Sequence, residues 1–436
     1  MSGLAIAAWS FPTLLAMILA RAPIGLAMMI CGAGGMWIVT GSPAMVLAKL
    51  RNETYSTFSG YALSVVPLFL LMGQFATQGG MSAALFRAAQ AFMGHRRGGL
   101  GMAAIGACAG FGAICGSSLA TAATMGQVAL PEMRRAGWSG PLAGATLAAG
   151  GTLGILIPPS VVLVLYAVMT EQNIGKLFLA AFIPGLLAAV SYMLVIRLYL
   201  RRHPAEAGVS PRQPWVQRWR ALAGVWPVLA VLLLVVFGIY GGWFTPTEGA
   251  AVGAGGTGLI ALIARRLNWR SLADCILRTA EASAMVFFII LGAGLFNAFL
   301  ALAQLPQSLS GWIADSGLPA YGVLVAILIL YLALGTIMDS LSMILLTVPI
   351  FFPVVMALDF GLTPEQTAIW FGVLVLLVVE TGLITPPVGM NLFVLAGLDP
   401  DTPVRATYAR VIWFVAADLV RVTLLVAFPA IVLFAI

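Results

Sequence analysis

Charge is scarce in this chain: Asp, Glu, Lys and Arg make up 8% of its 436 residues, against about 25% in an ordinary water-soluble domain. With 61% of the residues hydrophobic, no soluble fold could hide the apolar surface, and the solvent must be lipid. Lysine is almost missing. Lys49 and Lys176 are the only two, and neither follows a GxxxxG, so there is no Walker A phosphate loop and no ATP hydrolysis by that route. The two histidines, His95 and His203, fall in polar loops, which argues against a membrane-embedded Ser–His catalytic pair. Cys31, Cys108, Cys115 and Cys275 are scattered without metal, haem or disulfide spacing and read as small apolar packers. The net charge of +7 does not point to nucleic acid: all basic residues but the two lysines are Arg, and most sit in short loops between apolar runs, as the positive-inside rule requires.

What the chain has in quantity is apolar runs, each near the roughly 20 residues that span a bilayer core. Leu4 to Ala20 has no basic residue before it, so it reads as a membrane helix rather than a signal peptide. Arg96-Arg97, Arg134-Arg135, Arg201 to Arg220, Arg265 to Arg270 and Arg405 to Arg410 mark one face, the cytoplasmic one. Arg201 to Arg220 divides the chain as a linker with a Trp- and Arg-rich interfacial helix. Because both Arg97 and Arg134 are on that face, the apolar stretch between them is expected to enter and return as a hairpin. The chain then crosses through 140–170, turns at Glu171-Gln172-Asn173 and comes back. The second half reads the same way upside down, with a hairpin at 319–357 entered from the outside. Lys49 and Arg51 fall outside on this trace.

An internal repeat supports the inversion. GAICGSSLATAATMG from Gly112 resembles GTIMDSLSMILLTVP from Gly335, with Gly112/Gly335 and Ser117/Ser340 at an offset of 223. After each comes a broken apolar segment, GGTLGILIPPS from Gly150 and ETGLITPPVGMN from Glu380, with Gly154/Gly382, Pro158/Pro386 and Pro159/Pro387 at an offset of 228. Pro removes an N–H and breaks a helix. Broken backbone in hydrocarbon is tolerated where it lines a polar cavity, and paired breaks at matching positions point to a secondary transporter. The freed carbonyls can coordinate a cation, and helix N-termini favour anions.

The polar residues on these segments are the candidate site. Ser117, Ser118, Thr121 and Thr124 lie on the first hairpin's tip and return arm. Asp339 and Ser340 lie on the second, where an intramembrane acid is a functional candidate by default, or else a cap for the helix starting near Ser340. Glu380 is similar but on a helix facing the bundle interior. Thr385 sits on the second break, and Asn391 follows it with both donor and acceptor. In the turn Thr245-Pro246-Thr247-Glu248, Thr247 is expected to cap the next helix, with Glu248 buried at its N-terminus as the other option.

The order and spacing of RAPIGLAM from Arg21, VPLFLLMG from Val66, GGMSAALF from Gly79, GGLGMAAIGACAGFGAICGSSLATAATMG from Gly98, GGTLGILIPPS from Gly150, TPTEGAAVGA from Thr245 and TGLITPPVGMNLFV from Thr381 resemble the large, DctM-like permease subunit of TRAP (tripartite ATP-independent periplasmic) transporters. The likeness runs over nearly the whole chain. It implies an all-α polytopic inner-membrane protein with inverted repeats, two re-entrant hairpins and an elevator mechanism. It also implies a small four-helix (DctQ-like) membrane subunit and a periplasmic substrate-binding protein as partners, and a sodium gradient driving uptake of small organic anions: C4-dicarboxylates, sialic and other sugar acids, keto acids. No cofactor beyond Na⁺ as coupling ion is implied. Matched by motif, ion coordination falls around Ser117, Ser118 and Gly151 to Pro158 in the first half, and around Gly335 to Ser340 and Gly382 to Thr385 in the second. With the polar residues read above, the cation- and substrate-site candidates are Ser117, Ser118, Thr121, Gly151, Gly154, Pro158, Gly335, Asp339, Ser340, Gly382, Thr385, Pro386 and Asn391. The partition is then scaffold (1–60), transport half (61–170), scaffold and linker (171–280), transport half (281–400) and a last scaffold helix (401–436). A stand-alone sodium/carboxylate carrier of similar architecture would need no small subunit. An intramembrane enzyme is opposed by the missing membrane histidines. If protons replaced sodium, Asp339 or Glu380 would titrate.

Overall fold

In lipid every backbone polar group must be satisfied within its own segment, and among the described residues the chain forms helices and no strand. The structure is a computed structural model that describes residues 2–315 and 317–436. In the first half, α1 (Gly3–Leu19) and α2 (Ile24–Thr40) form a pair, and α3 (Pro43–Ser59) leads through a short 3-10 turn into α4 (Val65–Gln78) and α5 (Met81–Met93). Then come the hairpin α6 (Gly99–Cys115) and α7 (Ser118–Arg135), the broken crossing α8 (Gly140–Leu156) and α9 (Val161–Thr170), and the long α10 (Ile174–Arg202). α8 and α9 meet at an angle of 42°. The second half has α11 (Trp215–Tyr240), α12 (Pro246–Ile263), α13 (Trp269–Leu302) and α14 (Leu305–Asp315). It continues with the hairpin α15 (Ala320–Gly335) and α16 (Ser340–Met356), the broken pair α17 (Pro364–Gly382) and α18 (Met390–Ala396), then α19 (Val404–Ala427) and α20 (Ala430–Leu433). Among the described residues five helices are long and apolar enough to cross a membrane alone, and the bent α8–α9 pair makes a sixth if it is counted as one span.

Glycines set the scaffold. α2 lies along α13 in the same direction, Gly25 against Phe288, Gly32 against Leu295 and Phe296, and Gly35 against Phe299. α12 lies along α4 in the same way, Gly253 against Met72 and Gly258 against Phe75. Small residues let membrane helices approach closely where lipid gives no hydrophobic drive between them. Exchanging α2 with α12 and α13 with α4 maps one pair on the other, and the two pairs run in opposite directions. A second repeat marks them: Gly32-Ala33-Gly34-Gly35 and Gly253-Ala254-Gly255-Gly256 share an offset of 221.

The two hairpins open at opposite ends of the molecule. At the end of the first, Gly101 packs on Trp138 and the Arg-bearing loops gather. Glu206 accepts from Arg410 Nη2 at 3.0 Å, Ser139 Oγ at 2.9 Å and Tyr199 at 2.9 Å, and Ser210 N donates to Gly94 O. At the end of the second, Tyr321 and Phe360 meet edge to face at 5.4 Å, Lys176 pairs with Glu365 at 2.5 Å and Trp370 Nε1 donates to Leu425 O. Lys49 and Arg51 lie on α3, which descends beside α13 with Phe58 on Phe287; Lys49 is paired with Glu53 at 2.7 Å.

Two local expectations change. No separate interfacial helix forms in the linker. Trp215 and Trp219 are the first turns of α11 itself, exposed, with the Arg218 guanidinium 4.9 Å above the Trp215 ring. The cap of α12 is Thr245 rather than Thr247: Thr245 and Glu248 form a reciprocal capping box with Pro246 just inside the helix, and Glu248 is exposed. Proline at the first helical position fixes that choice, since its missing N–H needs no partner there. All four cysteines are buried and unbridged.

Candidate ion and substrate site

Both hairpin tips end one helix and cap the next in the middle of the molecule. α6 stops at Gly116, whose φ of +63° reverses the chain as only glycine does without strain. Ser117 Oγ then caps α7 by accepting from Ala120 N at 3.4 Å. In the second tip Asp339 is the cap, its Oδ2 accepting from Ser342 N at 3.1 Å. Cap to cap, Ser117 corresponds to Asp339 and Ser118 to Ser340, so the pairing of Ser117 with Ser340 is one residue out of register, the second tip being one residue shorter. The Asp339 carboxylate is held in the capping role.

The carboxylate at the centre is Glu380, fully buried on α17. Ser118 Oγ donates to its Oε2, and Ser340 Oγ donates to its Oε1 at 2.7 Å. One glutamate thus binds the tips of both hairpins. Its counterpart in the first repeat, at the 228 offset, is the neutral Thr152. Among the described residues Glu380 has no cationic partner.

Beside it lies a second buried network. Tyr192 OH on α10 donates to Asp418 Oδ2 at 2.8 Å, and Thr381 Oγ1 reaches the same oxygen at 3.4 Å. Thr152 Oγ1 is 3.0 Å from Tyr192 OH. Arg421 pairs with Asp418 at 2.8 Å and lies over the Tyr192 ring. This chain of contacts links the broken helices α8 and α17 through α10 and α19. Sequence reasoning passed over Asp418, Arg421 and Tyr192; the signal was an Asp and an Arg three residues apart inside an apolar helix.

The remaining candidates divide. Gly112 packs on Gly154, and Gly335 on Gly382, so each hairpin's first arm crosses its broken helix at a glycine pair. Thr121 and the Ser117 carbonyl face Gly154, while Asn391 and the Ser118 carbonyl face Gly151 one turn away. Asn391 Nδ2 donates to Ala148 O at 3.1 Å, but its Oδ1 is buried without a partner. Thr121 Oγ1 is also buried without a hydrogen-bond partner, although the Cys115 thiol lies nearby. Pro158 is buried with the whole first break. Thr385 Oγ1 donates back to Thr381 O at 2.6 Å; Thr385 and Pro386 are half-buried and Pro387 is exposed. Tyr408 OH donates to the Pro387 and Val388 carbonyls at 2.6 and 2.8 Å. The Pro158–Pro159 and Pro386–Pro387 bonds are both cis. The structure therefore joins Ser118 and Ser340 at one carboxylate, gathers Ser117, Thr121, Gly151, Gly154 and Asn391 on one face of α8, and leaves Thr385 and Pro386 apart at the open break.

The family described as "Tripartite ATP-independent periplasmic transporter, DctM component" matches residues 11–431. The chain is 38% identical over 402 residues to the C4-dicarboxylate TRAP transporter large permease protein DctM of Pseudomonas aeruginosa, covering 92% of this chain and 91% of that one. It is 30% identical over 420 residues to the sialic acid TRAP transporter large permease protein SiaM of Vibrio cholerae, covering 95% of each. Among solved structures, the Alcanivorax borkumensis YdaH transporter shares the fold, with a TM-score of 0.64, 16% identity and 89% of each chain covered.

Proposed function

Because the chain belongs to the DctM family of TRAP transporter large permeases, we propose that it couples the inward flow of Na⁺ across the bacterial inner membrane to the uptake of a small organic carboxylate. The observation that carries this reading is an oxygen-rich, desolvated centre built where two opposed hairpins meet two helix breaks. Thr121 Oγ1 and Asn391 Oδ1 are buried and poorly partnered, and two backbone carbonyls lie beside them. Buried polar oxygens without hydrogen bonds are costly, and a hard cation is the ligand that such a set of donors suits. Glu380, without a positive neighbour, gives that charge a reason to enter. The N-termini of α7 and α9 are capped by the neutral Ser117 and Ser160 and favour the anionic substrate, whereas that of α16 already holds the Asp339 carboxylate. A C4-dicarboxylate is the first substrate to test, in view of the Pseudomonas relative, with sialic acid and other sugar or keto acids next.

In this reading a periplasmic binding protein delivers the anion and a small membrane subunit holds the α1–α3 side of the scaffold. The hairpins and breaks within 61–170 and 281–400 slide as an elevator against the flanking helices. Positive-inside bias places the Arg-bearing end in the cytoplasm. The test is thermal unfolding of the purified protein in NaCl against choline chloride at equal ionic strength, followed by uptake into vesicles carrying the partners. A ligand that binds only the folded state raises Tm by mass action. A sodium-specific rise, reduced in Thr121→Ala and Asn391→Ala, supports the reading. No rise with sodium, together with uptake that follows a proton gradient, would replace sodium by a proton on Glu380.

A further inference from the structure

A different site lies at the Arg-bearing end, away from the hairpin tips. A cavity of about 490 Å³ opens between the α5–α6 turn and the last turns of α10, lined by Arg96, Arg97, Arg197 and Arg201 together with Met93, Met102 and Leu200. Arg197 and Arg201 are one turn apart on α10; Arg96 and Arg97 face them from a turn seated on that helix, Gly98 lying against Leu200 and Ile196. None of the four forms an ion pair among the described residues. The nearby carboxylate, Glu206, is already taken by Arg410, Ser139 and Tyr199. The field at this end is positive enough to act on its neighbours: burial and the charges of Arg218, Arg212 and Arg96 all hold the His95 imidazole below its ordinary pKa.

Positive-inside bias accounts for arginines at this end. It does not account for four of them converging on one cavity with no counter-charge, since like charges at close range repel. We propose that the cavity is a binding site for the phosphate headgroup of an anionic phospholipid, the guanidinium forks taking the phosphate oxygens and the half-buried Met93 and Met102 taking the first carbons of the acyl chains. Guanidinium groups match phosphate oxygens in paired hydrogen bonds, and basic pockets between helices on the cytoplasmic side are suited to such headgroups. The apolar floor decides between a lipid and a free anion, because soluble phosphate has nothing to place there. Occupied, the site would pin the start of the first hairpin to α10 at the level of the membrane surface. This inference needs only the membrane location and does not rest on sodium coupling.

The test uses the full chain in a neutral detergent. Tm is measured with added cardiolipin or phosphatidylglycerol, with phosphatidylcholine, and with inorganic phosphate, for the wild type, the Arg197→Gln/Arg201→Gln variant and an Arg212→Gln control. All the altered side chains are exposed, so each variant should match the wild type in phosphatidylcholine. The expected result is a Tm rise of several degrees with the anionic lipids alone. It should be lost in the double variant, kept in the control and not reproduced by millimolar phosphate. Each arginine near an anionic surface is worth about fivefold in affinity, so removing two should weaken the lipid effect by more than tenfold in midpoint concentration. Equal shifts in wild type and double variant, or equal shifts with phosphatidylcholine, would overturn the site. A shift with phosphate equal to that with lipid would overturn the lipid as its ligand.

Discussion

Glu380 is where the two repeats of this transporter stop being equivalent. Ser118 and Ser340, one from each hairpin, spend their hydroxyl protons on its two oxygens. A hydrogen bond is worth about 0.5–1.5 kcal/mol, and leaving a buried acceptor unpaired costs about 1–3 kcal/mol. Ser118→Ala and Ser340→Ala are therefore each expected to lower unfolding stability by about that amount. Because both serines share one acceptor, the double variant should depart from additivity by about 0.5 kcal/mol or more. Additive losses would mean that the two hydroxyls act independently. Glu380→Ala strands both buried hydroxyls, each at a cost of about 1–3 kcal/mol. At this scale the sequence was readable in part. Ser118 and Ser340 stand out as small hydroxyls at apolar turns, and Glu380 as an acid in a membrane segment. Asp339 looked more pointed than Glu380, since the chemistry of a side chain does not say whether its oxygens meet a neighbouring backbone N–H or a distant hydroxyl. Asp418 and Arg421 went unread because a pair three residues apart is, in most helices, a solvated surface pair.

At the scale of helices, the close approaches fall at glycines, and they separate costly from harmless substitutions. A Cβ at Gly112 would lie 2.5 Å from Gly154 Cα, and one at Gly382 would lie 2.7 Å from Gly335 Cα. Backbone cannot step aside, so Gly112→Ala and Gly382→Ala should each destabilise by about 2–3 kcal/mol or more and abolish uptake. At Gly32 the obstruction is again backbone, 2.6 Å away at Phe296 N, while at Gly253 it is the Met72 sulfur at 2.4 Å, which can swing aside. Gly32→Ala should thus be the more damaging of that equivalent pair. Gly34→Ala and Gly255→Ala meet nothing within 4 Å, and better helix propensity should stabilise by about 0.5–1 kcal/mol. Thermal or denaturant unfolding of the six variants checks the ranking; equal effects at Gly32 and Gly34 would refute it. The Pro-Pro breaks and hairpin turns were legible because Pro and Gly act locally. The four-residue Gly-Ala-Gly-Gly repeat was on view but went unpaired, since small residues recur so often in membrane helices that one match carries little weight without knowing what faces it.

For the whole molecule, the inverted arrangement was legible from where arginine clusters, and it makes a sided prediction. Cysteines introduced as Trp243→Cys and Asp359→Cys should react with an impermeant thiol reagent applied from the periplasm. Those introduced as Arg135→Cys and Arg212→Cys should react only after the cytoplasmic side is opened. The four native thiols are buried and should give little background. Labelling of all four positions from one side would contradict the fold's orientation. The Arg-bearing end also has an acid limit. Burial works to raise the Glu206 carboxyl, but hydrogen bonds from Arg410, Ser139 and Tyr199 outweigh it and hold its pKa below the ordinary glutamate value. A depressed pKa contributes stability above the unfolded value, near 4.3, and loses it as pH falls through the folded one. Unfolding measured from about pH 6 downward should therefore show a loss that Glu206→Gln removes, with lower stability of that variant at neutral pH. What the sequence could not show is that this one carboxylate gathers the start of α8, the end of α10 and α19, because those contacts join segments far apart in the chain.

The unequal burial of the two helix breaks bears on inhibition. The first is sealed from end to end, while the second shows Pro387 at the surface, beside Tyr408 near the Arg-bearing end. A small molecule arriving from that side has backbone to grip at the second break, and one arriving from the other side meets a closed wall. Compounds selected against this conformation should therefore act from the Arg-bearing side, and a blocker meant to work from the opposite side would have to be sought against a different one.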